Sequence, residues 1–183
     1  MPGRLARWKG HVVLIEALAK MENTNNLCMI LGRSKGNESY RREIEKLARS
    51  FNLETRIRFV DHESDMPAAY MLADVVVSAS TNPEAFGRVT AEAQAMGRPV
   101  IASGHGGSRE TLLPGKTGWL VKPGDPLALA SAIDEALGID GWKREVLAAR
   151  ASRHVAKNFS LSGMCDATLK VYSDLLKEAA NKE

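Results

Sequence analysis

Residues 75–103, VVVSASTNPEAFGRVTAEAQAMGRPVIAS, decide the fold class. Two short apolar runs, residues 75–78 and 99–102, stand on either side of an amphipathic stretch at residues 89–96. Short runs rich in β-branched residues are typical of fully buried parallel strands. Apolar residues at helical spacing favour a helix that packs on such strands. This stretch therefore predicts a strand–helix–strand unit with a right-handed connection.

The same alternation continues in both directions along the chain. Further apolar runs predict strands at residues 27–31, 57–60 and 118–121, and amphipathic stretches predict helices at residues 11–21, 38–51, 66–72 and 127–137. On the first helix, Val12, Ile15 and Ala19 are predicted to share one apolar face, with Leu14 and Leu18 beside it. The pattern predicts an α/β fold: a Rossmann-like, doubly wound parallel sheet flanked by helices.

The two ends of the chain differ from this repeating pattern. Only residues 1–5 precede the first helix, so we expect a first strand that is either three or four residues long or cut off. No strand signal follows residue 141, and residues 142–156 and 162–180 predict two helices, with Ser160 or Ser162 as a candidate cap. We therefore predict a Rossmann-like domain at residues 1–140, closed by C-terminal helices at residues 141–183.

The composition excludes several classes of protein. Lysine and arginine exceed aspartate and glutamate by only three charges over 183 residues, and like charges form no long run, so nucleic acid is not an expected partner. No apolar stretch reaches the ~18–20 residues that a transmembrane helix needs. No signal-peptide pattern opens the chain, and Cys28 and Cys165 lie in no metal-binding cluster. We expect reduced cysteines, no metal site and a cytoplasmic location.

Two loops carry the residues best suited to bind a ligand. In open α/β sheets, ligands bind beyond the carboxyl ends of the strands, beside helix N-termini. Residues 3–10 place Arg4, Arg7 and Lys9 between glycines just before a helix, which suits an anion. Arg7 is expected to be an exposed neighbour of the ligand. Trp8 is expected to pack against the first helix.

The second loop leads into the helix predicted at residues 89–96. It carries Glu84 and Glu92, eight residues apart, which is about two helical turns. Glu84 precedes the helix and is expected to face the ligand crevice, whereas Glu92 lies inside the helix. For the histidines at 62, 105 and 154 we expect loop or surface positions. For Gly106 and Gly107, a simple turn and direct phosphate contact are equally open.

Several segments in order resemble one family. The chain is similar to the C-terminal, donor-binding lobe of retaining glycosyltransferases with the GT-B fold, of the sucrose-synthase and bacterial mannosyltransferase type, also called glycosyl transferases group 1. The resemblance covers nearly the whole chain. It rests on the Gly-Arg-Leu and Lys-Gly of residues 3–10, the Glu-x7-Glu pattern of residues 84–92, and residues 93–103, 106–110 and 115–121.

The resemblance implies roles for individual residues. Arg4 and Lys9 would bind the diphosphate of a nucleoside-diphosphate sugar, of UDP or GDP type, and offset its charge as it departs without a metal ion or other cofactor. Glu84 would accept hydrogen bonds from hydroxyls of the donor sugar, and Glu92 would hold the ribose. Further donor contacts would come from Phe86, Gly87, Arg88, Val89 and Gly32, with Val60, Asp61 and His62 lining the base. Asp61 stands where the family often has glycine, and residues 32–36 hold fewer glycines than is usual there.

The resemblance also implies what lies outside the chain. In the family an N-terminal domain binds the acceptor sugar or lipid, and we expect this domain to be absent here. The whole enzyme would associate peripherally with the cytoplasmic face of a membrane. The isolated chain would bind nucleotide sugar weakly and transfer little. Two alternatives stay open: a non-catalytic nucleotide-sugar-binding subunit of a split enzyme, and an epimerase with the GT-B fold.

Overall fold

The computed structural model describes residues 1–33, 36–61 and 63–180. A 3-10 turn at Arg7–Lys9 precedes the first helix. Apart from a short helix at residues 108–111 that the sequence did not predict, the following elements alternate as predicted, and the α/β fold is confirmed. In chain order they are α1 (His11–Leu18), β1 (Cys28–Leu31), α2 (Glu38–Ser50), β2 (Ile57–Val60), α3 (Met66–Met71), β3 (Val76–Ser78), α4 (Arg88–Ala95), β4 (Val100–Ser103), α5 (Ser108–Thr111), β5 (Trp119–Val121), α6 (Pro126–Gly138), α7 (Gly141–Asn158) and α8 (Leu161–Ala180).

All the paired strands run parallel, in two ladders. One ladder joins β1 to β2, and the other has the order β3-β4-β5. The chain start lies beside β1, because Gly3 N–H donates to Leu31 O at 2.8 Å and Leu31 N–H donates to Met1 O at 2.9 Å. This pairing forms a single bridge between Pro2 and Leu31. The pairing expected of a first strand is thus limited to this single parallel bridge.

The side chains of β3 and β4 are buried on both faces of their ladder, whereas those of β5 are partly buried. Val77 and Ile101 lie in a core with residues of α1, α2 and α6. Val76 and Val100 point the other way, into a second core that includes Tyr70 of α3. Successive side chains of a strand alternate between faces, so helices on both sides bury the sheet. Each such aliphatic side chain contributes about 1.5–3 kcal/mol through burial.

Helix α1 buries most of the face that the sequence predicts, since Leu14, Ile15 and Leu18 are buried and Val12 is partly buried against the same core. Ala19 lies outside the helix and is exposed, whereas His11 is fully buried at the first position of α1. The helix contacts both α2 and α6, so its buried face also takes in His11 and Ala17. Its buried residues are His11, Leu14, Ile15, Ala17 and Leu18.

The two C-terminal helices pack very differently. Helix α7 lies against α4, and Arg144 anchors it by donating a 2.8 Å hydrogen bond from NH1 to Asp74 O. Helix α8 has no buried residue over its length. Ser160 caps it, since Gly163 N–H donates to Ser160 Oγ at 3.2 Å. None of the helices within residues 1–33, 36–61 and 63–180 has the length and apolarity needed to cross a membrane.

A cavity of ≈ 480 Å³ opens between the two ladders. Its lining includes Met1, Cys28, Val75 and Val76, which lie at the chain start and at the amino ends of β1 and β3. The candidate ligand loops follow the opposite, carboxyl ends of these strands. None of the predicted site residues lines the cavity, although Tyr70 of α3 does.

Candidate functional site

The loop that carries Lys9 is held against the end of β3. Gly10 has φ 79°, and a Cβ atom placed there would lie 1.9 Å from the carbonyl oxygen of Ala79. Only glycine fits this close approach in a left-handed conformation. A second tie comes from Thr81, whose N–H donates to Trp8 O at 2.7 Å. The close packing at Gly10 and the hydrogen bond from Thr81 together place Lys9 beside the loop that follows β3.

Lys9 and Glu84 form the central polar contact of the site. Lys9 Nζ donates a 2.9 Å hydrogen bond to Glu84 Oε1, and the two side chains are only 13% and 14% exposed. Ser80 Oγ donates to the same carboxylate oxygen at 2.5 Å. Lys9 Nζ also lies 4.4 Å from the centre of the Trp8 ring. The predicted diphosphate-binding lysine and the predicted sugar-binding glutamate are thus brought together.

The electrostatics of this contact favour an ionised Glu84. Burial opposes ionisation, but hydrogen bonds from Ser80 and Lys9 and the charges of Lys9 and His105 outweigh it, so the pKa of Glu84 lies below its usual value. A carboxylate that accepts hydrogen bonds from a cation and a hydroxyl keeps its charge even when partly buried. The site therefore holds a fixed negative charge beside a fixed positive one.

The loop after β4 completes this part of the site. Gly107 N–H donates a 2.8 Å hydrogen bond to Glu84 O, so the two glycines at 106 and 107 pack against the backbone of the Glu84 loop. Phosphate contact by these two glycines stays a prediction. His105 is more enclosed than expected, since both of its ring nitrogens are buried without a hydrogen-bond partner among the described residues.

Glu92 lies on α4 and has partners on both carboxylate oxygens. Arg88 donates to Oε1 from Nε at 3.1 Å and from NH2 at 2.8 Å. Tyr70 of α3 donates from its hydroxyl to Oε2 at 2.8 Å. The Arg88 side chain is 84% exposed, while Tyr70 is only 3% exposed. One partner of Glu92 is therefore at the surface and the other is buried.

Gly32 links the first loop to the end of β2. Its N–H donates to Val60 O at 2.8 Å, and a Cβ atom at Gly32 would lie 1.8 Å from Gly3 O. The predicted base-lining residues and the start of the Arg4–Lys9 loop are therefore adjacent. Asp61 is paired with Arg41, whose NH1 lies 3.0 Å from Oδ1. His62, Ser34 and Lys35 lie outside the described residues.

The remaining predicted residues differ in how far their side chains are exposed. Arg4 is exposed. Phe86 is 42% exposed, and its ring contacts Phe159 edge-on with centroids 5.6 Å apart. The side chain of Val89 packs against the second core instead of facing the site. Only its backbone N–H, in the first turn of α4 after Gly87, is available for the predicted donor contact.

Two side chains at the site, Ser80 and Tyr70, were given no role by the sequence, and His105 was expected only as a loop or surface residue. Ser80 opens the loop after β3, and its hydroxyl position there was the available signal. Tyr70 offered only a weak signal, an aromatic residue with a polar group on an apolar helix face. Within the described part of the chain, no group of three or more His, Cys, Asp or Glu side chains is arranged to hold a metal ion.

Comparison with known proteins places the chain in a family. The family model of glycosyl transferases group 1 matches residues 1–154. The D-inositol 3-phosphate glycosyltransferase of Corynebacterium diphtheriae is 35% identical over 179 residues, which cover 94% of this chain and 41% of that protein. The chain thus spans less than half the length of this curated relative.

Solved structures agree with the sequence match. A glycosyltransferase from Rickettsia africae superposes with a TM-score of 0.92 at 36% identity, over 97% of this chain and 47% of that one. Anabaena HepE, crystallised in complex with UDP and glucose, gives a TM-score of 0.87 at 31% identity, over 94% of this chain and 47% of that one. The chain belongs to the glycosyl transferases group 1 family and corresponds to the C-terminal half of a GT-B glycosyltransferase.

Proposed function

We propose that this chain is the donor-binding half of a retaining, metal-independent glycosyltransferase. It would move a hexosyl group from a nucleoside-diphosphate sugar to an acceptor hydroxyl in the biosynthesis of a glycan, lipid or polysaccharide. The observation that carries the proposal is the partly buried contact between Lys9 and Glu84 at the carboxyl end of the parallel sheet. This contact joins a cation for the diphosphate to a carboxylate for the sugar.

Lys9 and Arg4 are the proposed diphosphate ligands. During transfer the bond between the anomeric carbon and the diphosphate oxygen breaks, and negative charge grows on the departing diphosphate. Fixed cations aimed at that charge lower the barrier most effectively where water is excluded. Lys9 is held in place by Glu84, and exposed Arg4 is free to close on the ligand. These two cations take the role that a divalent metal ion plays elsewhere.

Glu84 is the proposed partner of the donor sugar. Its ionised carboxylate accepts hydrogen bonds from sugar hydroxyls, and its charge favours the oxocarbenium-like transition state of glycosyl transfer. In a retaining reaction the acceptor oxygen bonds to the anomeric carbon on the face that the diphosphate leaves. The acceptor proton passes to the departing diphosphate, whose charge Lys9 and Arg4 continue to offset.

Glu92 and the first turn of α4 are the proposed contacts of the nucleotide. A carboxylate suits the ribose because it accepts two hydrogen bonds from a vicinal diol. Backbone N–H groups at Phe86, Gly87, Arg88 and Val89 would contact phosphate and sugar, as the start of a helix favours anions. UDP in the Anabaena relative supports a UDP donor, with GDP as the second candidate.

The acceptor is proposed to bind outside this chain. The curated relatives are more than twice as long as their matched segments, which leaves room for a second domain that binds an acceptor sugar or lipid. We place the whole enzyme in the cytoplasm, at the inner face of a membrane when the acceptor is a lipid. The chain alone would bind the donor and show almost no transfer.

Calorimetry of the purified chain with UDP, GDP and ADP tests the donor site. We expect at least one nucleotide to bind, and Glu92→Ala to weaken that binding by roughly tenfold or more, because the ribose loses its acceptor. Glu145→Ala, which removes an exposed carboxylate on α7, is the matched control. A folded chain that binds none of the three nucleotides would contradict the proposal. Efficient sugar transfer by the chain alone would contradict its half-enzyme part.

A further inference from the structure

We infer that Tyr70 is a positioning residue that fixes the Glu92 carboxylate for the ribose diol, and that the ion pair between Arg88 and Glu92 opens when nucleotide binds. The inference rests on the proposed donor site and extends it to a residue outside the family motifs quoted above. It concerns ribose recognition alone, and leaves the sugar and diphosphate contacts unchanged.

The hydrogen bond from Tyr70 to Glu92 is partly buried, because Tyr70 is only 3% exposed while the Glu92 side chain is 35% exposed. It spans 2.8 Å and joins α3 to α4 across 22 positions of sequence. The ring lies in the second core with Val76, Val100 and Leu112, so the phenol has a fixed direction. Burial, followed by the hydrogen bond and charge of Glu92, raises the pKa of Tyr70. The phenol therefore keeps its proton and stays a donor at every physiological pH.

The acceptor capacity of Glu92 decides which partner must leave. An ionised carboxylate offers about four lone-pair sites. In the structure Tyr70 occupies one site on Oε2, and Arg88 occupies two on Oε1. About one site is left, whereas a vicinal diol needs two acceptors. Ribose binding therefore requires Arg88 to give up at least one of its hydrogen bonds.

Exposure makes Arg88 the partner that leaves. Exposed ion pairs four residues apart on a helix are weak, and the Arg88 side chain is 84% exposed and can return to water. Tyr70 has no such route, because a phenol that leaves Glu92 stays buried without an acceptor, which is costly. Tyr70 thus holds Oε2 while Oε1 turns to the diol.

The test compares two ligands on two proteins. Binding of UDP, or of whichever ribonucleoside diphosphate the wild-type chain prefers, is measured beside binding of its 2′,3′-dideoxy analogue. Tyr70→Phe is expected to lower the affinity for the ribonucleotide by roughly 3- to 10-fold. The affinity for the dideoxy analogue should stay unchanged. Tyr172→Phe on exposed α8 is the matched control. In a Glu92→Ala background, where the acceptor of the Tyr70 hydroxyl is removed, Tyr70→Phe should have no further effect on the ratio of the two affinities.

Two results separate this inference from the proposed function. If the wild-type chain prefers ribonucleotide and Tyr70→Phe keeps the full preference, the role of Tyr70 is wrong and the donor site stands. If the wild-type chain binds neither ligand, both are wrong. Proton NMR of the wild-type chain requires no substitution. The Tyr70 hydroxyl proton should stay protected from exchange with water when nucleotide is added, and its rapid exchange in the complex would overturn the inference.

Discussion

Lys9 Nζ donates a 2.9 Å hydrogen bond to Glu84 Oε1, which joins two residues 75 positions apart in the chain. The loop before α1 and the loop before α4 meet at this bond. Because the two side chains are 13% and 14% exposed, each charge depends on the other for solvation. The pair therefore links the stability of the site to its chemistry.

Replacing Lys9 should weaken both nucleotide binding and the stability of the fold. Lys9→Met is expected to lower the affinity for UDP by roughly tenfold or more, because the diphosphate loses a charge-assisted contact. It should also cost about 1–2 kcal/mol of unfolding free energy, because among the described residues Glu84 then keeps only Ser80 as a side-chain donor. Calorimetry and urea unfolding measure the two effects, with exposed Lys46→Met as the control. In a double-mutant cycle with Glu84→Gln, a coupling free energy near zero would contradict the pairing.

The pKa of Glu84 should follow its partners. It lies below the usual value of 4.5, so the stability it adds is fully present above pH 4.5. That stability is lost as the pH falls through the lower pKa of the folded state. Carbon NMR of the carboxyl group should show titration below pH 4.5 in the wild-type chain. The pKa should rise in Lys9→Met and in Ser80→Ala, and a Glu84 that titrates above pH 4.5 without substitution would refute this.

Gly10→Ala should disrupt the loop that carries Lys9. The new methyl group would lie 1.9 Å from Ala79 O, in a residue with φ 79°. We expect a loss of about 3 kcal/mol or more in unfolding free energy, because both strain and overlap are introduced. Gly124→Ala is the matched control, since Gly124 has φ 72° with nothing within 4 Å of the added Cβ. It should lose only about 1 kcal/mol, and equal losses would rule out the overlap.

His11 should make the fold sensitive to mild acid. Burial is the main cause that lowers its pKa from 6.5 to about 4, and the ring is fully buried with Nδ1 3.5 Å from Tyr40 Oη. A lowered folded-state pKa means that the stability from neutral His11 is present above pH 6.5. It is lost as the pH falls toward 4, by about 2 kcal/mol between pH 7 and pH 5.

Unfolding in urea at several pH values measures this loss. His11→Gln should flatten the dependence between pH 7 and pH 5, whatever its effect on overall stability. Glu84 does not confuse the result, because its titration lies below pH 4.5. Proton NMR of the ring gives a second readout, and a His11 that titrates near pH 6.5 in the folded chain would contradict the prediction.

Phe159, directly after α7, should stabilise the loop before α4 that holds Phe86 and Gly87. Its ring contacts Phe86 at a centroid distance of 5.6 Å, and such aromatic pairs contribute about 0.5–1.5 kcal/mol. Phe159→Ala is expected to speed hydrogen exchange at the backbone of Phe86 and Gly87. It is also expected to lower the affinity for UDP roughly 2- to 5-fold. Leu161→Ala, at a 73% exposed position, should change neither, and unchanged exchange in Phe159→Ala would show that Phe86 holds the loop alone.

The sequence by itself determined the order of the elements and the family. The apolar run at residues 75–78 and the helical spacing at residues 89–96 are local patterns, and a buried strand or an amphipathic helix follows from them wherever the rest of the chain lies. The spacing of the motif residues Glu84 and Glu92 can likewise be recognised in the sequence alone. Helix and strand ends shifted by up to three residues, because the end of an element depends on its caps and neighbours.

Only the tertiary structure decided which side chains meet. Lys9 reaches Glu84 because two loops from distant parts of the chain meet at one edge of the sheet, and Tyr70 reaches Glu92 because α3 lies beside α4. No periodic pattern encodes such contacts. The buried face of α1, and with it the burial of His11, likewise follows from how that helix packs between α2 and α6. Local physics fixed the elements, and the packing of those elements fixed the site.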